Sequence, residues 1–230
     1  MKKGTGRTTA MEYDRPYRPR PVAWANALGG RFTTPSLRVK ELLAAARKRN
    51  RLDDFGGEGF IEPLQRLVES INGEARLHWL GRRITAERLI AALGNRLRCQ
   101  ALLRRHPEIE AISLERPIII TGLQRTGTTI LHRLLASDPQ ARALLTWEAL
   151  NPAPFLPWPH RFGLEWRLSI ARVGQGLTSY MAPDFFAIHP IELYRPEEDS
   201  LLMDFSFLSP VAEATLRVPR YSQWLANQDL

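Results

Sequence analysis

The sequence predicts an α/β fold: a parallel sheet flanked by helices and preceded by a helical subdomain. Three observations predict it. Residues 118–121 form an apolar β-branched run, the composition of a strand buried on both faces. Gly122 and Gly127 bound a tight loop directly behind it. From Thr128 to Ser137, Ile130, Leu131, Leu134 and Leu135 fall on one helical face, and Asp138-Pro139 ends the pattern. Strand, glycine-bounded loop and helix in that order build an anion cradle. The loop's N–H groups and the positive end of the helix dipole converge on one point.

Ahead of this unit the pattern is helical. Residues 1–35 are a basic Pro/Arg-rich arm whose Arg15–Pro21 run reads as extended and solvated, so the arm is expected to be mobile and dispensable for folding. Ser36 can cap a helix carrying Val39, Leu42, Leu43 and Ala46 on one face. A turn follows at Asp53–Gly59. Pro63 suits the first turn of a second helix, with Leu64, Leu67, Val68 and Ile71 inward and Asn72-Gly73 at its end. Thr85 can cap a third helix running to Arg105, with Leu89, Ile90, Leu93 and Leu97 as its stripe. These helices define a subdomain over 36–112, and 113–230 opens the α/β domain.

Beyond the loop helix, Leu144–Glu148 reads as a second strand or a short helix. Residues 151–159 hold four prolines and form a stiff apolar loop. Phe162–Val173 is expected to be helical. Pro196 is expected to start another helix, with Glu197, Glu198 and Asp199 in its first turn and Leu201, Leu202, Phe205 and Leu208 buried. Tyr221, Trp224 and Leu225 mark a last short helix. Only one convincing parallel strand is present, whereas a doubly wound sheet needs about four or five. The sheet is therefore expected to be incomplete, and the chain reads as a fragment, a truncated product or one half of a split protein.

Composition excludes several classes. In 230 residues, 44% are hydrophobic, so the chain is not disordered as a whole. No apolar stretch approaches the roughly 18 residues of a membrane span, and Lys2-Lys3 has no apolar segment behind it of the kind a secretory signal needs. The lone Cys99 cannot form an internal disulfide, which fits a cytoplasmic location, and no Cys/His cluster has metal-ligand spacing. The net charge of +8 is uneven: residues 1–51 hold 13 Lys/Arg and three acids, and the rest holds 19 against 21. A nucleic-acid reading would rest on the arm alone, and none is expected.

The loop chemistry is specific. Gly122-x-x-x-x-Gly127 has the spacing of a nucleotide P-loop, but Thr128-Thr129 stands where an ATPase has Lys-Ser/Thr. The cation sits earlier, at Arg125. One guanidinium, hydroxyls and backbone N–H groups suit a single terminal phosphate better than a triphosphate–metal pair.

Gln124-Arg125-Thr126-Gly127-Thr128-Thr129 resembles the 5′-phosphosulfate loop of sulfotransferases that use 3′-phosphoadenosine 5′-phosphosulfate, PAPS. That loop typically reads Pro-Arg/Lys-Ser-Gly-Thr-Thr; Gln124 replaces the Pro, and Thr126 replaces the Ser with its hydroxyl kept. Arg104-Arg105-His106-Pro107-Glu108, Trp147-Glu148 and Pro196-Glu197-Glu198-Asp199 resemble segments of the bacterial branch with a helical N-terminal region. The resemblance covers residues 36–230. It implies a P-loop-containing nucleoside-triphosphate-hydrolase-like sheet and sulfuryl transfer from PAPS, without metal, to a hydroxyl or amine of a small-molecule, lipid or carbohydrate acceptor. It places the cofactor-binding role on Gln124, Arg125, Thr126, Gly127, Thr128 and Thr129. Such enzymes are longer, and their strand–helix grip on the 3′-phosphate lies downstream; nothing after Glu148 resembles it.

For the general base the resemblance implies Glu148, with His189 of Ala-Ile-His-Pro as the rival. A helix-capping carboxylate and a backbone-bonded loop histidine are the structural alternatives. His132 and His160 read as structural. Trp147, Phe155, Trp158, Tyr180, Phe185 and Phe186 suit either an acceptor pocket or the core. A P-loop small-molecule kinase, and a non-catalytic helical interaction protein with a vestigial anion site, are the competing functions. The partners expected are a small-molecule acceptor and, for an incomplete sheet, a second copy of the chain.

Overall fold

The structure, a computed structural model, describes residues 18–29, 36–123, 126–155, 165–188 and 191–228. In chain order the helices are α1 (Arg20–Gly29), α2 (Val39–Asn50), α3 (Ile61–Glu74), α4 (Trp79–Arg105), α5 (Thr128–Leu135), α6 (Thr146–Leu150), α7 (Trp166–Met181), α8 (Pro183–Ile188), α9 (Ser200–Met203), α10 (Val211–Thr215) and α11 (Pro219–Leu225).

The expected stripes bury as a set. Leu42 and Ala46 of α2, Leu64, Leu67, Val68 and Ile71 of α3, and Leu89, Ile90, Leu93 and Leu97 of α4 form one core with Phe55 and Phe60. The helix starts differ from expectation. Arg38, not Ser36, precedes α2, and no side chain caps it. The entry is tied instead by Asn72: its side chain accepts from Leu37 N and donates to Leu37 O, both at 2.9 Å. α4 begins at Trp79, six residues before Thr85. Thr85 sits inside the helix because its hydroxyl is satisfied by Gly81 O, one turn back, at 2.8 Å.

The arm is also revised. Residues 20–29 are helical and packed rather than extended and free. Pro21 is tolerated in a first turn, and Val22–Leu28 holds three alanines, good helix formers. Asn26 Oδ1 accepts Leu80 N at 3.3 Å, and a Cβ on Gly29 would lie 2.6 Å from the Trp79 side chain. Residues 1–17 and 30–35 lie outside the described residues. We therefore expect deletion of residues 1–29 to lower the melting temperature by several degrees; an unchanged value in a thermal scan would show that α1 contributes nothing.

Packing crosses the division at residue 112. Phe207, Ala212, Val218 and Tyr221 bury into the same core as the N-terminal helices. The Tyr221 hydroxyl donates to Phe207 O at 2.6 Å, and Arg88 of α4 pairs with Asp204 at 3.2 Å. Burial pushes the Tyr221 phenol up to about 12, above the roughly 10 of an unfolded tyrosine. A raised acid pKa contributes stability that is complete below pH 10 and lost as pH rises through 12. Tyr221→Phe leaves Phe207 O without its donor and should cost about 1–3 kcal/mol at neutral pH. Denaturant titrations should show the gap from wild type closing above pH 10; a gap independent of pH would refute the titration.

The sheet is where expectation and structure part. Among the described residues no strand forms; the single bridge is antiparallel, Leu145 with Pro196. Ile118 and Ile119 are 75% and 79% exposed. Their apolar, β-branched composition suits a buried strand, but a strand's N–H and C=O groups pair only with neighbouring strands, and the described residues supply none. Ile130, Leu131, Leu134 and Leu135 of α5 are exposed for the same reason. The expected helix from Pro196 starts instead at Ser200, because Pro196 is held in the bridge. Leu201, Leu202, Phe205 and Leu208 are half-buried, and Phe207 between them takes the fully buried place.

Candidate anion-binding site

Gly127 opens α5 with φ 92°, in the left-handed region that only glycine occupies at little cost. Its carbonyl accepts from Ile130 N and Leu131 N, both at 3.1 Å, so the helix starts at this residue. Thr126 Oγ1 donates to Leu123 O at 2.6 Å. Gly122 faces the turn so closely that a Cβ would lie 2.8 Å from Thr128 Cγ2 and 3.1 Å from Thr126 Oγ1. Glycine is favoured at 127 for its torsion, and at 122 a side chain would have to displace those of Thr126 and Thr128. The first-turn N–H groups of α5 have no acceptor within the helix, and Thr126, Gly127 and Thr129 are exposed, with Thr128 half-buried. The described part, Thr126–Thr129, thus leaves backbone and hydroxyl groups open at the start of α5, groups of the kind that suit a phosphate. Gln124 and Arg125 lie outside the described residues. Gly127→Ala should cost about 1–2 kcal/mol through the forced left-handed torsion, read as weaker phosphate binding of about 5–30-fold; equal affinity by calorimetry would show that the turn does not set the site.

Glu148 is the third residue of α6. Leu145 N donates to its Oε2 at 3.0 Å, the reach-back half of a capping box. Arg142 NH2 lies 2.8 and 2.9 Å from its two oxygens. The capping role and the ion pair are both present; Arg142 is largely exposed while the carboxylate is mostly covered.

Segment 192–197 joins α5 to α6. Arg133 of α5 pairs with Glu192 at 3.2 Å. Thr146 N donates to Arg195 O, Trp147 N to Leu193 O and Glu197 N to Leu144 O, at 3.1, 3.2 and 2.9 Å. The Thr146 hydroxyl lies 3.0 Å from Glu192 O. Residues 192–197 therefore dock on the start of α6 through a turn, Arg195 N donating to Glu192 O at 2.9 Å, with Pro196 and Glu197 the part of Pro-Glu-Glu-Asp that reaches it. Arg133, Arg142 and Glu192 were missed by sequence reasoning. Only the charge complementarity of Arg142 and Glu148, six residues apart, was there to be found.

Among the described residues, the aromatic side chains make separate contacts. Arg167 stands 4.8 Å over the Trp147 ring and Arg98 stands 4.2 Å over Phe155. Phe185 and Phe186 touch edge to face at 6.4 Å, and Tyr180 is exposed. Trp158, His160 and the rival base His189 lie outside the described residues; His132 is half-buried on α5. A cavity of about 320 Å³ lies instead in the helical unit, lined by Leu52, Asp53, Asp54, Leu97, Ala101 and Arg104. Among the described residues, no group of His, Cys, Asp and Glu is placed to hold a metal, and no helix is long and apolar enough to cross a membrane.

Comparison with known proteins bears on the family. Residues 117–230 match the sulfotransferase family. Sulfotransferase STF1 from Mycobacterium tuberculosis H37Rv shares 33% identity with a TM-score of 0.69, over 86% of this chain and 54% of that one. Sulfotransferase STF9 from Mycobacterium avium shares 26% identity with a TM-score of 0.71, over 86% and 51%. The chain spans about half the length of these solved relatives. No curated protein matches it at a significant level. With the glycine-opened loop in place, a family match that begins at the residue before the Ile118 run, and solved sulfotransferases aligned over most of its length, the chain belongs to the sulfotransferase family.

Proposed function

We propose that this chain carries the 5′-phosphosulfate end of a PAPS-dependent sulfotransferase site. The observation that carries the reading is the loop: a left-handed Gly127 opening α5, Gly122 closed onto Thr126 and Thr128, and Thr128-Thr129 where a phosphate lysine would stand. When bound, PAPS supplies an activated sulfuryl group. Transfer forms a bond from sulfur to an acceptor oxygen or nitrogen and breaks the bond to the 5′-phosphate. Charge grows on the leaving phosphate, where the first-turn N–H groups, the hydroxyls of Thr128 and Thr129, and the Arg125 guanidinium would stabilise it. Glu148 would take the acceptor proton, with His189 as the rival. The acceptor is a hydroxyl or amine of a small molecule, lipid or carbohydrate.

Calorimetry separates this reading from a small-molecule kinase with the same loop spacing. Adenosine 3′,5′-bisphosphate should bind, and ATP–Mg²⁺ should not compete. With Ile118, Ile119 and the α5 face open to water and no described strand–helix grip for the 3′-phosphate, affinity should be weaker than micromolar and the chain should self-associate. Tight binding by a monomer would overturn the second expectation; a response to ATP–Mg²⁺ alone would overturn the function.

A further inference from the structure

Arg98 lies in the middle of α4 and is 5% exposed. Among the described residues no carboxylate pairs with it. A buried guanidinium without an acid is costly, and burial pushes this one down to about 10, which leaves it charged at neutral pH. Its surroundings are three asparagine oxygens and one ring. NH1 donates to Asn50 Oδ1 at 2.8 Å, at the end of α2. NH2 donates to Asn95 Oδ1 and, at 3.4 Å, to Asn151 Oδ1, and the guanidinium stacks on Phe155. Asn95 Nδ2 in turn donates to Leu150 O at 2.9 Å. Gly94 makes the space: a Cβ there would lie 2.8 Å from Asn50 Nδ2 and 3.3 Å from Arg98 NH1.

The partners fall into two groups. Asn50 and Asn95 belong to the helical unit. Asn151 and Phe155 belong to the segment that leaves α6, starting three residues after Glu148. Amide oxygens stand in for water around the two terminal nitrogens, while Nε is buried without a hydrogen-bond partner, and the fork of the guanidinium bridges both groups at once, which a lysine ammonium could not match.

We infer that Arg98 is a positioning residue, a strut that pins the 150–155 segment to the helical unit and so sets where α6 presents Glu148. The catalytic consequence rests on the sulfotransferase reading above; the strut itself does not.

Hydrogen exchange read by mass spectrometry tests the strut in the 230-residue chain. In Arg98→Met, amides of 146–155 should exchange about tenfold faster while those of α3 keep their protection. Asn151→Asp should have opposite effects in two backgrounds. With Arg98 present the new carboxylate gains a charge partner, and exchange at 146–155 slows. With Arg98→Met the carboxylate is left without that partner, and exchange quickens. Loss of packing alone would not reverse the sign. Should Arg98→Met fail to fold, Gly94→Ala, which crowds Asn50 and Arg98 apart, should quicken the same amides. Unchanged exchange at 146–155, or an Asn151→Asp effect of one sign in both backgrounds, overturns the proposal. Where turnover is measurable, Arg98→Met should lower kcat at unchanged affinity for adenosine 3′,5′-bisphosphate, with Glu148→Gln as reference. Full activity of Glu148→Gln would sink the base assignment and leave the strut to be judged by exchange alone.

Discussion

Replacing Arg125 by alanine is expected to slow sulfuryl transfer by about 10²–10³-fold, the scale for losing one donor to charge that develops in the transition state. Arg125 is the only Lys or Arg between Gly122 and Thr129, and the rest of the cradle is neutral: backbone N–H groups and threonine hydroxyls. The leaving 5′-phosphate gains charge as the sulfur–oxygen bond breaks, so the loss should fall on kcat as well as on nucleotide affinity. Arg125→Lys should recover only part of the rate, because an ammonium meets phosphate as a point charge rather than as a fork. Wild-type turnover and affinity in the alanine variant would remove Arg125 from the site.

Glu148→Gln is expected to lower kcat by about 10²–10⁴-fold with little change in nucleotide affinity. The substitution is informative because of the contacts seen. Gln keeps an oxygen that can accept from Leu145 N, so the start of α6 is retained, and what disappears is the proton acceptor and the pair with Arg142. Arg142 is largely exposed, so that pair contributes little to stability. Arg142→Ala separates the two losses: it removes the ion pair and leaves the base, and should keep most of the activity. If Glu148→Gln stays active while His189→Ala loses kcat, the base is His189.

The legible parts of this protein were local. The stripe Leu64, Leu67, Val68 and Ile71 specified α3 and its inward face, since burial of one face follows from the helical period. The opening of α5 was legible for a similar reason: the left-handed turn at Gly127 is a demand on a single residue that glycine meets at little cost. Helix starts were less legible. Ser36 and Thr85 are cap-forming residues, yet Asn72, 35 residues from Leu37, ties the entry of α2, and a carbonyl one turn back takes the Thr85 hydroxyl. The 20–29 helix was hidden by prolines and arginines around it, because its stability comes from packing on α4.

What the sequence by itself determined is the glycine-opened start of α5 and the apolar faces of its helices, because both follow from residue type and spacing over a few positions. What only the tertiary structure decided is non-local. The Ile118 run stays outside any ladder because strand pairing needs partners that composition does not reveal. Tyr221 closes a core begun by Leu42, Glu192 links Arg133 to the start of α6, and Arg98 ties α2 and α4 to the chain behind Glu148. Each of these depends on where distant segments meet, and that meeting is set by the joint burial of many side chains rather than by any one of them.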